Sequence, residues 1–248
     1  RFLNFKFSND FYYPHIPGNY KIKNICRIII GENKKINIKE KNWEIKELEE
    51  KEILNLLHEK ITKSDTTQNW SNLLNHFLTD KKNIVGLNIV GKELPPLEII
   101  CNSMNNFFNS KTLILNIGEG TSVSITQINI GDKNSALSIS SYLNIGADSI
   151  VKHGIISFGK NKSHIINTLN VCQKENSEYN LGSLQLEYDF ARLEISINQV
   201  KGNATTNIKG IQITKDNEQI STYANISFNG PNGFLDQLNK SLANDKSH

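Results

Sequence analysis

From about Leu113 to Gly233 the chain alternates apolar and polar side chains with period two, in short runs broken by turn-forming residues. The runs are Leu113, Leu115 and Ile117; Val123 and Ile125; Leu137 and Ile139; Leu143 and Ile145; Leu184 and Leu186; Leu193, Ile195 and Ile197; and Ile211 and Ile213. Their neighbours are mostly Ser, Thr, Asn, Gln or Glu, so each run predicts a β-strand with one buried and one solvated face. The turns between them include Gly118-Glu119-Gly120, Gly131-Asp132-Lys133-Asn134, Gly146-Ala147-Asp148-Ser149, Gly159-Lys160-Asn161-Lys162 and Lys174-Glu175-Asn176-Ser177. Lys201-Gly202-Asn203, Lys215-Asp216-Asn217-Glu218 and Asn229-Gly230-Pro231-Asn232-Gly233 continue the series. Most stand about 14 residues apart, with one double gap. That regularity predicts an internally periodic all-β array. A sandwich, a barrel or a β-solenoid would satisfy the pattern, and the uniform period favours the solenoid.

The N-terminal part reads differently, and the chain divides into a strand and helix segment, 1–82, and a repeat core, 83–248. Aromatic residues and the β-branched run Ile25 to Ile30, ended by Gly31, predict a pair of strands. A first helix is predicted over Asn42 to Thr62, where Ile45, Leu48, Ile53, Leu56 and Leu57 recur at helical spacing and Glu47 stands four residues before Lys51. A second is predicted over Thr66 to Leu78, where Trp70, Leu73, Leu74, Phe77 and Leu78 form one apolar stripe behind a cap at Asp65 or Thr66. Both stripes are expected to pack on the sheet. After Lys82 the period returns to two: Ile84, Leu87 and Ile89 lead into Gly91, and Pro95-Pro96 marks a turn.

Composition narrows the function classes. The net charge is +3, but Lys alternates with Asp and Glu instead of forming a block, and no basic stripe interleaved with aromatics points to nucleic acid. No apolar run approaches the roughly 18 residues that cross a bilayer. Arg1 to Lys6 do not open a signal peptide, so the expected location is cytoplasmic, without membrane association. The chain begins without Met and stops at His248 with no closing element, and it reads as a piece of a longer protein. Cys26, Cys101 and Cys172 are far apart and odd in number, which argues against a disulfide framework.

Candidate chemistry is sparse. None of His15, His58, His76, His153, His164 and His248 stands at the spacing of a helical zinc pair. His153 and His164 could meet across adjacent strands as a metal or acid/base pair, although a strand-surface role accounts for both. Cys172, on a predicted strand, could act as a thiolate ligand or sulfur carrier, against the usual inertness of a strand cysteine. Asp132, Asp148, Asp189 and Asp216 fall at or near turns, where hydrogen bonding to the backbone explains them without catalysis. The carboxylates are dispersed, and the chain has no nucleophile elbow, phosphate loop or dinucleotide fingerprint. Gly118-x-Gly120 reads as a turn. No catalytic, cofactor or metal residue is assigned on these grounds, and the expectation is a non-enzymatic chain.

A family resemblance emerges towards the C-terminal end. Arg192-Leu193-Glu194-Ile195, then Gly202-Asn203-Ala204, Gly210, Gln219, and Pro231 with Asp236 to Leu242 and Asp245 resemble the SufB/SufD family of iron-sulfur cluster assembly scaffolds. Upstream, Trp70 to Ile89, Leu94-Pro95-Pro96-Leu97-Glu98-Ile99 and Gly118-Glu119-Gly120-Thr121 are similar to that family's entry into its β-helix, so the resemblance covers the chain from about residue 70 onward.

The resemblance implies a mainly β protein built on a right-handed parallel β-helix, with flanking helical segments. It implies a scaffold subunit of the SUF iron-sulfur cluster assembly complex, partnered by SufB and the ATPase SufC. A cluster would be present only transiently, in the assembled complex. The SufD-like paralogue fits better than SufB, since Cys172 is the one cysteine expected in the repeat region. Ser221, Tyr223 and Phe228 stand where the family commonly has ionisable side chains, so no local ionisable role is carried over. The family's interface histidine and its ATPase-docking helical segment would lie beyond His248. The competing readings are an extracellular β-solenoid enzyme acting on polysaccharide and a non-enzymatic structural solenoid.

Overall fold

The computed structural model describes residues 26–30, 34–37, 45–49, 51–53, 55, 83–92, 94–160 and 162–247. Three short strands come first, β1 (Cys26–Ile30), β2 (Lys34–Asn37) and β3 (Ile45–Glu47). Then follow β4 (Ile84–Ile89), β5 (Leu97–Ser103), β6 (Phe108–Ile117), β7 (Ser122–Gly131), β8 (Ala136–Ile145), β9 (Ile150–Phe158) and β10 (His164–Gln173). The series ends with β11 (Glu178–Leu186), β12 (Phe190–Gln199), β13 (Thr205–Thr214), β14 (Gln219–Phe228) and β15 (Phe234–Ala243).

Consecutive strands from β4 onward go to opposite sheets. The odd sheet runs β15-β13-β11-β9-β7-β5-β1-β2 and the even sheet β14-β12-β10-β8-β6-β4-β3. Pairing along β4 to β15 is parallel throughout, which gives a β-solenoid of six coils with two strands in each. Phe108 stacks on Ala136 and Ala136 on His164, an advance of 28 residues per coil. The turn spacing seen in the sequence is therefore half a coil.

The corners explain why Asn and Asp recur. Asn106, Asn134, Asp148 and Asn176 take up left-handed backbone with φ between 54° and 62°, a region that Asn and Asp tolerate better than most residues. The serine that closes such a corner turns inward. Ser135 Oγ donates to the Asp132 carbonyl at 2.6 Å and Ser177 Oγ to the Lys174 carbonyl at 2.7 Å. Both serines are buried, so these bonds satisfy polar atoms that water cannot reach.

Inside the coils the even sheet is mainly aliphatic, with Lys111, Ser141, Asn167, Gln173 and Gln199 as buried polar inward positions. Leu115 and Ile117 stack under Leu143 and Ile145, Leu143 under Val171, and Leu169 and Val171 under Ile195 and Ile197, all within one core. Burial of each such side chain contributes roughly 1.5–3 kcal/mol. The odd sheet behaves otherwise. Its strands begin with apolar residues inward, such as Val123 and Ile125 on β7 or Tyr179 and Leu181 on β11. They end with polar residues inward: Gln127 and Asn129, Ser157, Ser183 and Gln185. The aliphatic set crosses to the outside at the same point.

Two expectations from the pattern are corrected here. Leu184, Leu186, Ile211 and Ile213 do not belong to the core: they lie on the outer face, with Ile211 45% exposed. Strand parity counted from the fully inward Tyr179, Leu181 and Ile208 decides this, because neighbours one residue apart face opposite ways. The first helix is not formed as expected either. Ile45–Glu47 is an edge strand paired antiparallel with β4, residues 51–53 and 55 are helical, and residues 56–62 of the predicted span lie outside the described residues. Edge pairing beside Leu87 to Ile89 satisfies backbone groups there, and it outweighs helix preferences of a few tenths of a kcal/mol per residue (~0.5). Leu48 and Ile53 then pack with Ile84, Ile114 and Tyr142 on the outer face of the even sheet. The second predicted helix, Thr66 to Leu78, lies outside the described residues, as does the aromatic N-terminal stretch. The predicted strand pair is present as the β1–β2 hairpin. No helix among the described residues is long and apolar enough to cross a membrane.

Candidate functional site

The polar half of the solenoid interior lies against the corner that leads from odd to even strands. Gln127 Nε2 donates to Asn129 Oδ1 at 3.0 Å, and Asn129 Nδ2 to Ser157 Oγ at 2.9 Å. Ser141 Oγ, on the facing sheet, reaches Gln127 Oε1 at 3.4 Å. Further along, Gln185 Nε2 donates to Thr222 Oγ1 at 2.9 Å. Asn167 points into the same interior, with neither side-chain atom hydrogen-bonded.

Three groups missed by the sequence reading belong to this region. Lys111 is fully buried and donates from Nζ to Asn83 Oδ1 at 3.1 Å. Its place was legible in principle, since it shares strand parity with Leu113, Leu115 and Ile117. Cys101 is buried at the same end, on β5 and within the repeat, so Cys172 is not the repeat's one cysteine. Burial pushes the Cys101 thiol up to about 12, against the opposing pull of the Lys111 charge. A thiol so held is protonated at neutral pH.

Tyr188 fills the double gap in the turn series. Its corner, Glu187 to Asp189, is three residues long and has no Gly or Asn, which is why the turn signals skip it. The coil shortens to 26 residues there, with His164 stacked on Phe190. Glu187 carries the left-handed backbone with φ 60°. The shortened corner drives the Tyr188 ring inward, fully buried, with its hydroxyl 3.4 Å from the Asn129 carbonyl. Gly131 and Gly159 make room: a Cβ at either would collide with the ring.

Outside this short corner lies a cleft of about 540 Å³ between its longer neighbours, lined by Lys160, Lys215, Glu187, Asp189, Asp216 and Glu218. Partial burial raises the Glu218 carboxyl above its ordinary value, and the charges of Glu187 and Asp216 push the same way. Lys215 Nζ stands 3.8 Å from Glu187 Oε1, with both side chains largely exposed, so that ion pair contributes little. The turn aspartates act on backbone and neighbours. Asp189 Oδ1 accepts from the Lys162 N–H at 2.9 Å, Asp132 Oδ1 from the Lys133 N–H at 2.8 Å, and Asp148 Oδ1 from Asn176 Nδ2 at 3.0 Å. Lys160 Nζ also bonds Asp132 Oδ1 at 2.8 Å. Partial burial works against ionisation of Asp132, but the Lys160 and Lys133 bonds outweigh it and hold its carboxyl below the ordinary range.

The two histidines considered together on sequence are not brought together. His153 points inward from the odd sheet, between Ile125 and Leu181, whereas His164 starts β10 in the even sheet, exposed, between Ala136 and Phe190. Consecutive strands of a two-sheet solenoid never pair in one sheet, so strands adjacent in sequence are not sheet neighbours. His153 Nδ1 is 2.9 Å from the Tyr179 hydroxyl. Burial holds the imidazole down to about 4, and it raises the Tyr179 hydroxyl well above its ordinary range. Both groups are neutral at physiological pH.

Cys172 is half-buried on the outer face of the even sheet, in register between Asn144 and Asn198. It follows an asparagine ladder in which Asn116 Nδ2 donates to Asn88 Oδ1 at 3.2 Å and Asn144 Nδ2 to Asn116 Oδ1 at 2.6 Å. Among the described residues no three His, Cys, Asp or Glu side chains are grouped so as to hold a metal ion.

A stacked, two-sheet solenoid with these corners agrees with the sequence comparison. Residues 99–248 match the family described as SUF system FeS cluster assembly, SufBD core domain. The chain belongs to the SufBD family. The SufBD match begins within β5 and runs through β15, so it takes in the polar interior, the short corner and both outer faces. Among curated proteins none matches the chain. Membership fits a role in iron-sulfur cluster assembly, and SufBD proteins work in SUF complexes.

Proposed function

We propose that this chain is a SufD-like, non-catalytic scaffold subunit of a cytoplasmic SUF complex, pairing with a SufB-like subunit and coupled to a SufC-like ATPase. The observation that carries the reading is the SufBD core match over residues 99–248. The chemistry of the side chains supports the scaffold role. The Cys101 thiol is buried and protonated, and His153 is neutral and engaged with Tyr179. A scaffold of this kind contributes rigid stacked coils, and the iron-sulfur cluster is the product that the complex builds and passes on. ATP-driven dimerisation of the SufC-like subunit would move the scaffold and expose the assembly site.

The test is co-expression of the complete gene with its SufB-like and SufC-like partners, followed by the mass and iron content of what co-purifies. A complex containing all three is the expected result. A folded chain that associates with neither partner overturns the proposal.

A further inference from the structure

Two inward columns face each other across the polar half of the interior. One is Cys101, Asn129, Ser157, Gln185 and Gln212, stacked in register through the odd sheet. The other is Lys111, Ile139, Asn167, Leu193 and Thr222, stacked through the even sheet. Bonds between the columns fix which residues are opposite: Gln212 Nε2 donates to Thr222 Oγ1, and Gln185 Nε2 reaches the same hydroxyl at 2.9 Å. Register then sets Ser157 opposite Asn167, two coils before Gln212 and Thr222. The bond from Ser141 to Gln127 gives the same pairing from the preceding coil.

Asn167 differs from the other polar groups of these columns. Lys111 donates to Asn83, Thr222 accepts from the two glutamines, and Asn129 joins Gln127 to Ser157. Asn167 is 2% exposed, and neither its N–H nor its carbonyl meets a protein partner. A buried amide without hydrogen bonds is strongly destabilising, so it needs a partner of another kind. Ile139 and Leu193 lie on either side of it in its own column and offer none. Ser157 accepts from Asn129 at 2.9 Å and has its own hydrogen to give. Tyr188 is no substitute: its ring lies against Gly131 and Gly159, nearer the corner, and its hydroxyl turns to the Asn129 carbonyl.

The same level is short of side-chain atoms. Ser157 with Asn167 has about two to three fewer non-hydrogen atoms than Asn129 with Ile139 or Gln185 with Leu193, the room of about one to two waters at about 30 Å³ each. The parallel ladders on both sheets hold neighbouring strands about 4.8 Å apart, so the level cannot close along the axis.

We infer that this level is a binding site for one or two buried waters, held by the N–H and carbonyl of Asn167 and by the hydroxyl of Ser157. The facing groups are neutral and offer both donors and acceptors, which water matches and an ion of either sign does not. The bound water ties the odd sheet to the even sheet at a level where no direct side-chain bond does. The inference rests on the interior register and is independent of the SufD-like assignment.

The test is made on the full chain with two readouts. A crystal structure should show ordered water at hydrogen-bond distance from Asn167 Nδ2 and Oδ1 and from Ser157 Oγ. In solution, the Asn167 side-chain amide protons should give a cross-peak to water of the sign that marks a water held far longer than surface hydration. Ser157→Gln, which supplies the atoms that this level lacks, should abolish that cross-peak by placing an amide where the water stood. The parent readouts decide the matter if Ser157→Gln does not fold. No cross-peak in the parent, a direct protein partner or an ion beside Asn167 in the density, or a cross-peak that survives Ser157→Gln would overturn the inference.

Discussion

The two sheets of this solenoid solve the same problem differently. In the even sheet the inward residues are mostly aliphatic, as in Leu193, Ile195 and Ile197 on β12, with Lys111, Ser141, Asn167, Gln173 and Gln199 as polar interruptions. In the odd sheet they are aliphatic for half a strand and then polar, while Ile156, Leu184 and Ile211 take the outside. One sheet therefore acts as the greasy wall of the core, and the other divides its apolar residues between stability and display. The polar half is held by side-chain bonds such as Gln127 to Asn129 and by the inserted Tyr188 ring.

The strongest way to break this arrangement is at the short corner. Tyr188→Ala empties a fully buried ring site from beneath Gly131 and Gly159, and the expected loss is about 3–5 kcal/mol in a denaturant titration. A loss below about 1 kcal/mol would mean that the ring is not a core element. The contrast between sheets is sharpened by a pair of like changes. Leu193→Ala should cost about 2–5 kcal/mol, whereas Ile211→Ala, on the outer face, should stay within about 0.5 kcal/mol. Equal losses at the two sites would remove the distinction between the sheets.

Acid should weaken the odd sheet through His153. Its folded value is depressed to about 4 from an ordinary 6.5 by burial, so its contribution is fully present above pH 6.5 and is lost as pH falls toward 4. At the acid limit that amounts to about 3 kcal/mol. Stability profiles of the parent and His153→Gln should therefore differ in slope between pH 6.5 and 4, and parallel profiles would contradict the assignment. The smallest effect concerns the asparagine ladder. Cys172→Asn would extend it between Asn144 and Asn198, with a gain of about 0.5–1 kcal/mol, and a net loss would show that the thiol is the better fit.

The solenoid was legible because corners repeat every half coil and mark themselves with Gly, Asn, Asp and Ser. The even sheet was legible because its parity and its polarity agree. The odd sheet misled at Leu184, Leu186, Ile211 and Ile213, since period two identifies a strand without saying which face is the inner one. The corner Glu187 to Asp189 is missing from the turn series, although Asp189 was placed at or near a turn, because a left-handed glutamate has no turn signature. His153 and His164 were set together on paper by sequence proximity, but the two-sheet topology sends them to opposite sheets. Family membership came from the order and spacing of weak motifs, a signal separate from any cluster of reactive groups.

The scaffold reading is tested most directly inside the assembled complex. The chain carrying Cys172→Ser is purified with its SufB-like and SufC-like partners, and the rate of iron-sulfur cluster formation is compared with that of the parent complex. A non-catalytic scaffold predicts an intact complex and an unchanged rate. An intact complex that no longer forms clusters would place this thiol in the chemistry and contradict the account.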